Sequence, residues 1–188
     1  SGSTFLAEGL PLNTLYILDY AGVERETGKS QWWKYVPEVK DPETEEVLEK
    51  AKWEKTSDFG SIASDQDSKK LFDSTLADVF GGFTTTLYAY GFDLSIAFDY
   101  QLGGWGYDGA YQMLMHSDRG GSTNWHVDIL NRWQEPGDVT DVPRLSNKSD
   151  LYANSGSTRF ITSSSYLSLS NVRVGYSFPK KWMEKIKL

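Results

Sequence analysis

The sequence predicts an all-β, antiparallel fold whose long connections carry short helical pieces. Three observations support this. Phe92 to Leu102 (FDLSIAFDYQL) alternates almost without fault. Phe92, Leu94, Ile96, Phe98, Tyr100 and Leu102 point one way; Asp93, Ser95, Ala97, Asp99 and Gln101 point the other. Tyr166 to Phe178 (YLSLSNVRVGYSF) returns to the same period. Aromatic residues form 14% of the 188-residue chain, an enrichment that favours strands.

Taken in order, residues 10–19 (LPLNTLYILD) form an apolar run that reads as a strand. Residues 21–30 are polar and turn-like, and Gln31 to Val36 (QWWKYV) reads as a short strand. Residues 37–58 are a dense mixed-charge run. Pro42 near its start, and acids ahead of bases, favour a helix. Its apolar stripe is thin (Val47, Leu48, Ala51, Trp53), so it reads as a solvated surface helix or a loop insertion. Residues 59–82 are loop-like, with apolar runs at Leu71–Phe72 and Leu76–Phe80. Phe83 to Tyr90 (FTTTLYAY) is rich in Thr and aromatics and reads as a strand. Gly91 interrupts before Phe92, so residues 83–90 and 92–102 are expected to form an antiparallel hairpin.

Gly103 to Ser165 holds no comparable strand. Ala110–His116 and Trp125–Trp133 have short helical character. A connection of roughly sixty residues is far longer than an ordinary loop and points to function or to a missed element. In the last alternating stretch, Val172, Val174, Tyr176 and Phe178 oppose Asn171, Arg173, Gly175 and Ser177. The phase slips near Ser168–Ser170, which predicts a bulge. Pro179 ends the strand and a basic tail follows. No solenoid or propeller repeat is present.

Composition excludes several function classes. The net charge of -7 disfavours nucleic acid as a partner. The absence of Cys removes disulfides, thiolate zinc sites and Cys nucleophiles. His116 and His126 have no partner at helical ligand spacing, so no metal site is expected. No run approaches ~20 apolar residues, which excludes a transmembrane helix but not a transmembrane strand. The start Ser1-Gly2-Ser3-Thr4 shows no signal peptide.

The apparent motifs fail on physical grounds. Gly104-Trp105-Gly106-Tyr107-Asp108-Gly109 matches GxGxxG, but a dinucleotide-binding strand is apolar on both faces. The strand before it carries Asp93 and Asp99 and is fed by a hairpin. Gly28-Lys29-Ser30 ends like a phosphate loop, yet acidic residues stand where the phosphate would sit. Asp65 and Asp67 lack the glycine and closing Glu of a calcium loop. No carboxylate pair stands out on an apolar background, so no catalytic residue is named and no enzyme is expected. Asn147-Lys148-Ser149 is a glycosylation sequon, meaningful only in a secreted eukaryotic protein.

Aromatics remain: Trp105, Tyr107, Tyr111, Trp125 and Trp133 all lie in the long connection. They either pack a small satellite core or offer a stacking platform for a ligand. Two architectures fit the alternation. In a soluble β-sandwich the apolar face packs on a second sheet. In a transmembrane barrel it meets lipid and the polar face lines a lumen. Strands of ~9–11 residues suit a membrane crossing. Aromatics also gather at both ends of the Phe92 strand, as interfacial girdles do. Pattern alone leaves both architectures open.

Several blocks carry a resemblance. The stretches GGFTTTLYAYGFDLSIAFDYQLGGWGYDGAY, NWHVDILNRW, TDVPRLS and STRFITSSSYLSLSNVRVGYSFPKKW resemble the C-terminal part of SusC/RagA-type TonB-dependent outer-membrane transporters. The opening EGLPLNTLYILDYAGVERETGKSQWW is similar to the segment preceding it. The resemblance covers nearly the whole chain and weakens in the acidic run 38–58, which looks like a lineage-specific insertion.

The resemblance implies an antiparallel transmembrane β-barrel fragment, residues 1–188, with long extracellular loops at about 20–79 and 103–165. It implies import of bulky nutrients, glycans or peptides, across the cell outer membrane. The partners it implies are a SusD-like surface lipoprotein as lid, TonB as driver and outer-membrane lipid; no cofactor is implied. On this reading Trp105, Tyr107, Tyr111 and Trp125 contact substrate or lid. The chain shows no plug domain and no TonB box. A barrel of ~22 strands at ~10 residues each needs roughly 220 strand residues, so this chain is expected to be incomplete. The alternative is a secreted β-sandwich carbohydrate-binding module.

Overall fold

The computed structural model describes residues 4–117, 124–146, 150 and 152–185. In chain order its strands begin with β1 (Thr4–Phe5), β2 (Thr14–Leu18), β3 (Tyr20–Val23) and β4 (Ser30–Val36). Next come β5 (Val39–Lys40), β6 (Val47–Glu49), β7 (Lys52–Thr56), β8 (Lys69–Ser74) and β9 (Val79–Ala89). The remainder is β10 (Phe92–Leu102), β11 (Trp105–Tyr107), α1 (Gly109–Leu114), β12 (Ile161–Ser163), β13 (Tyr166–Tyr176) and α2 (Lys180–Lys185). Strands dominate, so the expected all-β class holds. They lie in five sheets of two or three strands, ordered β1-β2-β8, β3-β4-β7, β5-β6, β13-β10-β9 and β11-β12. No closed barrel forms among the described residues.

The chain divides into two units. One joins residues up to Asp73 with Gly106–Thr162; the other joins Ser74–Trp105 with residues from Ser163 onward. The second unit is built on the sheet β13-β10-β9, with β10 central and both partners antiparallel to it. The expected hairpin is present, and its first strand starts earlier, at Val79. Its turn is Tyr90-Gly91. Both residues have positive φ, 51° and 89°, the backbone that matches strand twist in a two-residue hairpin. The bulge is also present. Asn171 pairs with Ala97 and Leu169 with Phe98, so Ser170 is the extra residue. Its hydroxyl donates to the Ala97 carbonyl at 3.1 Å.

The first unit holds two small cores. Leu18, Trp32 and Ile62 pack with Tyr20 and Phe59. Met115, Val142 and Phe160 pack with Tyr107, Tyr111 and Ile129. Each cluster buries only a few large side chains, as expected where short strands and loops share the chain.

Three expectations are corrected. Residues 37–58 form no helix; they form β5, β6 and β7. Asp41 turns the chain: its Oδ1 accepts from the Glu43 and Thr44 amides at 2.8 and 3.1 Å. The Asp41 amide donates to the Glu46 carbonyl at 2.9 Å, and Glu45 sits at φ 57°. Such local side-chain bonds compete with the helix. Beyond the turn, β7 gains a full antiparallel ladder on β4, and Trp53 meets Tyr35 at 5.4 Å. Helix propensity is worth only tenths of a kcal/mol per residue, so the ladder prevails.

Residues 59–82 are not all loop, since β8 and the start of β9 fall there. Residues 21–30 include most of β3 as well as a turn. The helical character near 110–116 appears as α1. That near 125–133 appears as a 3-10 turn at Val127–Asn131. The 147–149 sequon lies outside the described residues.

Candidate functional site

The sheet of the second unit has two chemically opposite faces. Pairing places Phe92, Leu94, Ile96, Phe98 and Tyr100 of β10 in rows with Tyr176, Val174, Val172, Leu169 and Leu167 of β13. On the other side the same rows continue through Ala89, Leu87, Thr85, Phe83 and Gly81 of β9. Phe83 stacks on Phe98 at 5.0 Å, and Phe92 meets Tyr176 at 4.5 Å. This apolar face is open: Leu87 is 60% exposed and Val174 68%. A continuous exposed apolar face marks an interaction surface.

The opposite face is polar. Asp93, Ser95, Ala97 and Asp99 stand in rows with Gly175, Arg173, Asn171 and Ser168, and Thr86 Oγ1 donates to Ser95 Oγ at 3.3 Å. Aromatics mark both ends, with Tyr88, Tyr90, Phe92 and Tyr176 by the turn and Tyr100 and Tyr166 at the far end. Among the described residues no helix is long and apolar enough to cross a membrane, a statement that leaves strands aside.

The long connection carries the four aromatics singled out in the sequence. Tyr107 and Tyr111 are brought together on Phe160, with ring centroids 6.2 and 6.1 Å away in edge-on geometry. Asp108 caps α1 through its Oδ1, which accepts the Tyr111 amide at 2.8 Å. The Tyr111 hydroxyl donates to Asp128 Oδ2 at 2.9 Å. Burial pushes the Tyr111 phenol up, and the Asp128 carboxylate adds to this. Burial likewise raises Tyr107. Trp125 is held elsewhere: it stacks on His116 at 5.0 Å, and its Nε1 donates to the His116 carbonyl at 2.9 Å. Trp105 is a half-buried residue of β11 and belongs to the second unit.

A groove that sequence reasoning missed lies in the first unit. It encloses about 470 Å³ and is lined by Tyr20, Ala21, Gly22, Trp33, Asp141, Thr158 and Arg159. The Tyr20 amide donates to Thr158 Oγ1 at 2.9 Å, which in turn donates to Asp19 Oδ1 at 3.0 Å. The Tyr20 hydroxyl donates to the Asp141 carbonyl at 3.1 Å. The Arg159 guanidinium lies 5.4 Å from the Tyr20 ring and 5.2 Å from the Phe160 ring. Its Nη1 donates to the Ala153 carbonyl at 3.2 Å. Burial lowers the Arg159 pKa and raises that of Tyr20, in each case by penalising the charged form. Residues 20, 33 and 159 share no local spacing, and the STRF block gave no chemical reason to single out its Arg. Only the fold brings them together. Among the described residues no group of acids and histidines could hold a metal.

No family model matches the chain. A curated protein described as TonB-dependent receptor P39, from Formosa agariphila, is 26% identical over 142 residues. That match covers 71% of this chain and 13% of the relative. A solved structure of the RagAB peptide transporter superposes with a TM-score of 0.65 at 26% identity, covering 90% of this chain and 17% of that one. A second, of the RagAB peptide importer in an open-open state, gives 0.61 at 23% identity and speaks to fold alone. It covers 96% of this chain and 19% of the other. The chain thus spans less than a fifth of the length of each of these three proteins. It is similar to part of a SusC/RagA-like TonB-dependent transporter, as its sequence blocks implied. The relatives are a receptor and a transporter, not enzymes, and they lend no support to the sandwich alternative.

Proposed function

We propose that this chain is a stretch of barrel wall, with its external segments, from an outer-membrane TonB-dependent transporter of bulky nutrients. The observation that carries the proposal is the sheet β13-β10-β9. Its strands are 11 residues long, its apolar face is exposed and its other face is polar. Strands of this length cross the hydrocarbon layer when tilted, and alternation puts lipid on one side and a wet lumen on the other. The open edges of β9 and β13 then pair with neighbouring wall strands, since only closure satisfies backbone groups within lipid.

On this reading the Tyr90-Gly91 turn is periplasmic, and residues of about 20–79 and 103–165 lie outside the cell. Long external loops meet ligand or partner while strands act as scaffold. Trp105, Tyr107, Tyr111 and Trp125 would supply aromatic contact to substrate or to a SusD-like lipoprotein lid. Trp125, 41% exposed, offers the most surface of the group. TonB would act through other parts of the full-length protein, and the cargo would be a glycan or a peptide.

The test uses the full-length protein in its own cells. An epitope inserted after Glu45, at the tip of the β5–β6 turn, should be labelled by antibody on intact cells. One replacing Tyr90 should be labelled only after the outer membrane is permeabilised. The reverse pattern, or recovery of the protein in the soluble fraction, would overturn the proposal.

A further inference from the structure

We propose that the segment after β13, with α2, binds the headgroup of an anionic phospholipid at the turn end of the sheet. The fold holds the segment at that end. The Ser177 amide donates to the Gly91 carbonyl at 2.7 Å, which ties the chain leaving β13 to the Tyr90-Gly91 turn. Phe178 then meets Tyr176 edge-on at 5.1 Å, and Tyr176 meets Phe92 at 4.5 Å. α2 starts at Lys180, and the Pro179 carbonyl before it accepts the Trp182 amide at 2.9 Å. The helix therefore begins close to the Phe92–Tyr176 rung, at the rim of the apolar face.

Charge and exposure name the occupant. Residues 180–188 carry four Lys and one Glu, a net +3 in a chain whose total is -7. Lys180 and Lys181 are exposed, and neither pairs with an acid among the described residues. Lysines alone would suit any anion, so the aromatics decide. At the same end of the sheet Trp182 and Phe178 are each 58% exposed, and Tyr90 is 99% exposed. Trp and Tyr favour the boundary between hydrocarbon and water, which accommodates an apolar ring and a polar tip together. Lysines at that depth keep their stems in apolar surroundings and send the ammonium to the headgroups. A phosphate on an anionic lipid supplies the opposite charge. The acyl chains of the same lipid lie against the apolar rows of β10 and β13 that start at Phe92 and Tyr176. One molecule thus satisfies both the basic and the apolar part of the surface, which free phosphate does not.

This inference rests on the barrel-wall reading, which puts the sheet in a bilayer, and adds a headgroup preference to it. The test houses the full-length protein, with a bimane on Ser177→Cys, in nanodiscs of phosphatidylcholine. A lipid with brominated chains is included as phosphatidylglycerol or as phosphatidylcholine, and quenching of the bimane is followed against its mole fraction. The phosphatidylglycerol should reach half-maximal quenching at a mole fraction about tenfold lower, since each lysine near an anionic surface is worth about fivefold. Lys180→Gln with Lys181→Gln should bring the two curves together. Lys180→Arg with Lys181→Arg keeps the charge and should keep them apart. Millimolar inorganic phosphate at constant ionic strength should move neither curve. Coincident curves with both lysines present, an undiminished preference in the Gln variant, its loss in the Arg variant, or its loss to inorganic phosphate would overturn the inference. No quenching by either lipid, from protein housed in discs, would also overturn it and leave the barrel-wall reading intact. Protein that enters no disc would defeat that reading, and this inference with it.

Discussion

Gly175 stands directly across the ladder from Asp93, and a methyl group on its α-carbon would lie 2.6 Å from Asp93 Oδ2. The glycine is there for space. Its φ is not in the left-handed region, but the carboxylate of Asp93 fills the volume a side chain would need. The pattern recurs at Gly82, where an added Cβ would come within 2.8 Å of Asp99 Oδ1. Each aspartate on the polar face thus has a glycine beside it on a neighbouring strand.

Gly175→Ala forces the Asp93 carboxylate to swing aside and should destabilise the sheet by about 1 kcal/mol or less, because the clashing atoms are the far end of a flexible side chain. Asp93→Ala should relieve most of that loss. A double-mutant cycle, read by the temperature at which the full-length barrel loses its compact gel mobility, checks the coupling. Additive effects would mean the two residues do not compete for space.

The two faces should respond oppositely to charge. Ile96→Arg and Val172→Arg, a cross-strand pair near the middle of the sheet, place a guanidinium on the face read as lipid-exposed and should each cost about 2–4 kcal/mol near the bilayer midplane. Ser95→Arg puts the same group on the polar face and should cost far less. The fraction of folded protein recovered from outer membranes, or refolded into vesicles, measures both.

Deleting Ser170 should be tolerated. Asn171 already pairs with Ala97 and Leu169 with Phe98, so its removal straightens β13 without changing which residues lie on the apolar face. Deleting Val172 is different. The bulge would absorb the gap by placing Asn171 opposite Ile96, within the apolar row. An unpaired amide there costs roughly 1–3 kcal/mol. Folded yield should separate the two deletions clearly.

Asp150 offers a pH test. Burial holds its carboxyl above the ordinary 3.8, against the opposing pull of Arg144 and Lys29. A carboxyl with a raised folded pKa holds its proton more tightly in the folded state. Stability from this group is thus present below 3.8 and is lost as pH rises through the higher folded value. Asp150→Asn should raise Tm at neutral pH, and the advantage should vanish at about pH 3. An equal advantage at both pH values would place the cause elsewhere.

The alternation of β10 was legible because period-two patterning reports directly on a sheet with two unlike faces. The slip at Ser168–Ser170 was legible for the same reason, since a bulge is a fault in that period. The segment 37–58 was misread because its composition favours helix locally. What decides its state is the long-range pairing of Trp53 and Lys55 with Tyr35 and Trp33, which no local propensity records. The early start of β9 was hidden by Gly81 and Gly82, which read as loop yet make room for Tyr100 and Asp99. Tyr107 and Tyr111 were visible as aromatics, but their convergence on Phe160 needed a partner some fifty residues away. The Arg159 groove joins residues from opposite ends of the chain, which lies beyond the reach of spacing.

The most direct test of the barrel-wall reading is a single-cysteine scan at Leu94, Ser95, Ile96 and Ala97 in the full-length protein within native outer membranes. Each cysteine carries a nitroxide, whose collisions with oxygen and with a water-soluble nickel chelate are measured. Positions 94 and 96 should favour oxygen, which concentrates in lipid, and positions 95 and 97 should favour nickel. Four positions equally accessible to nickel, or four equally shielded from both reagents, would contradict a wall strand with lipid on one face and water on the other.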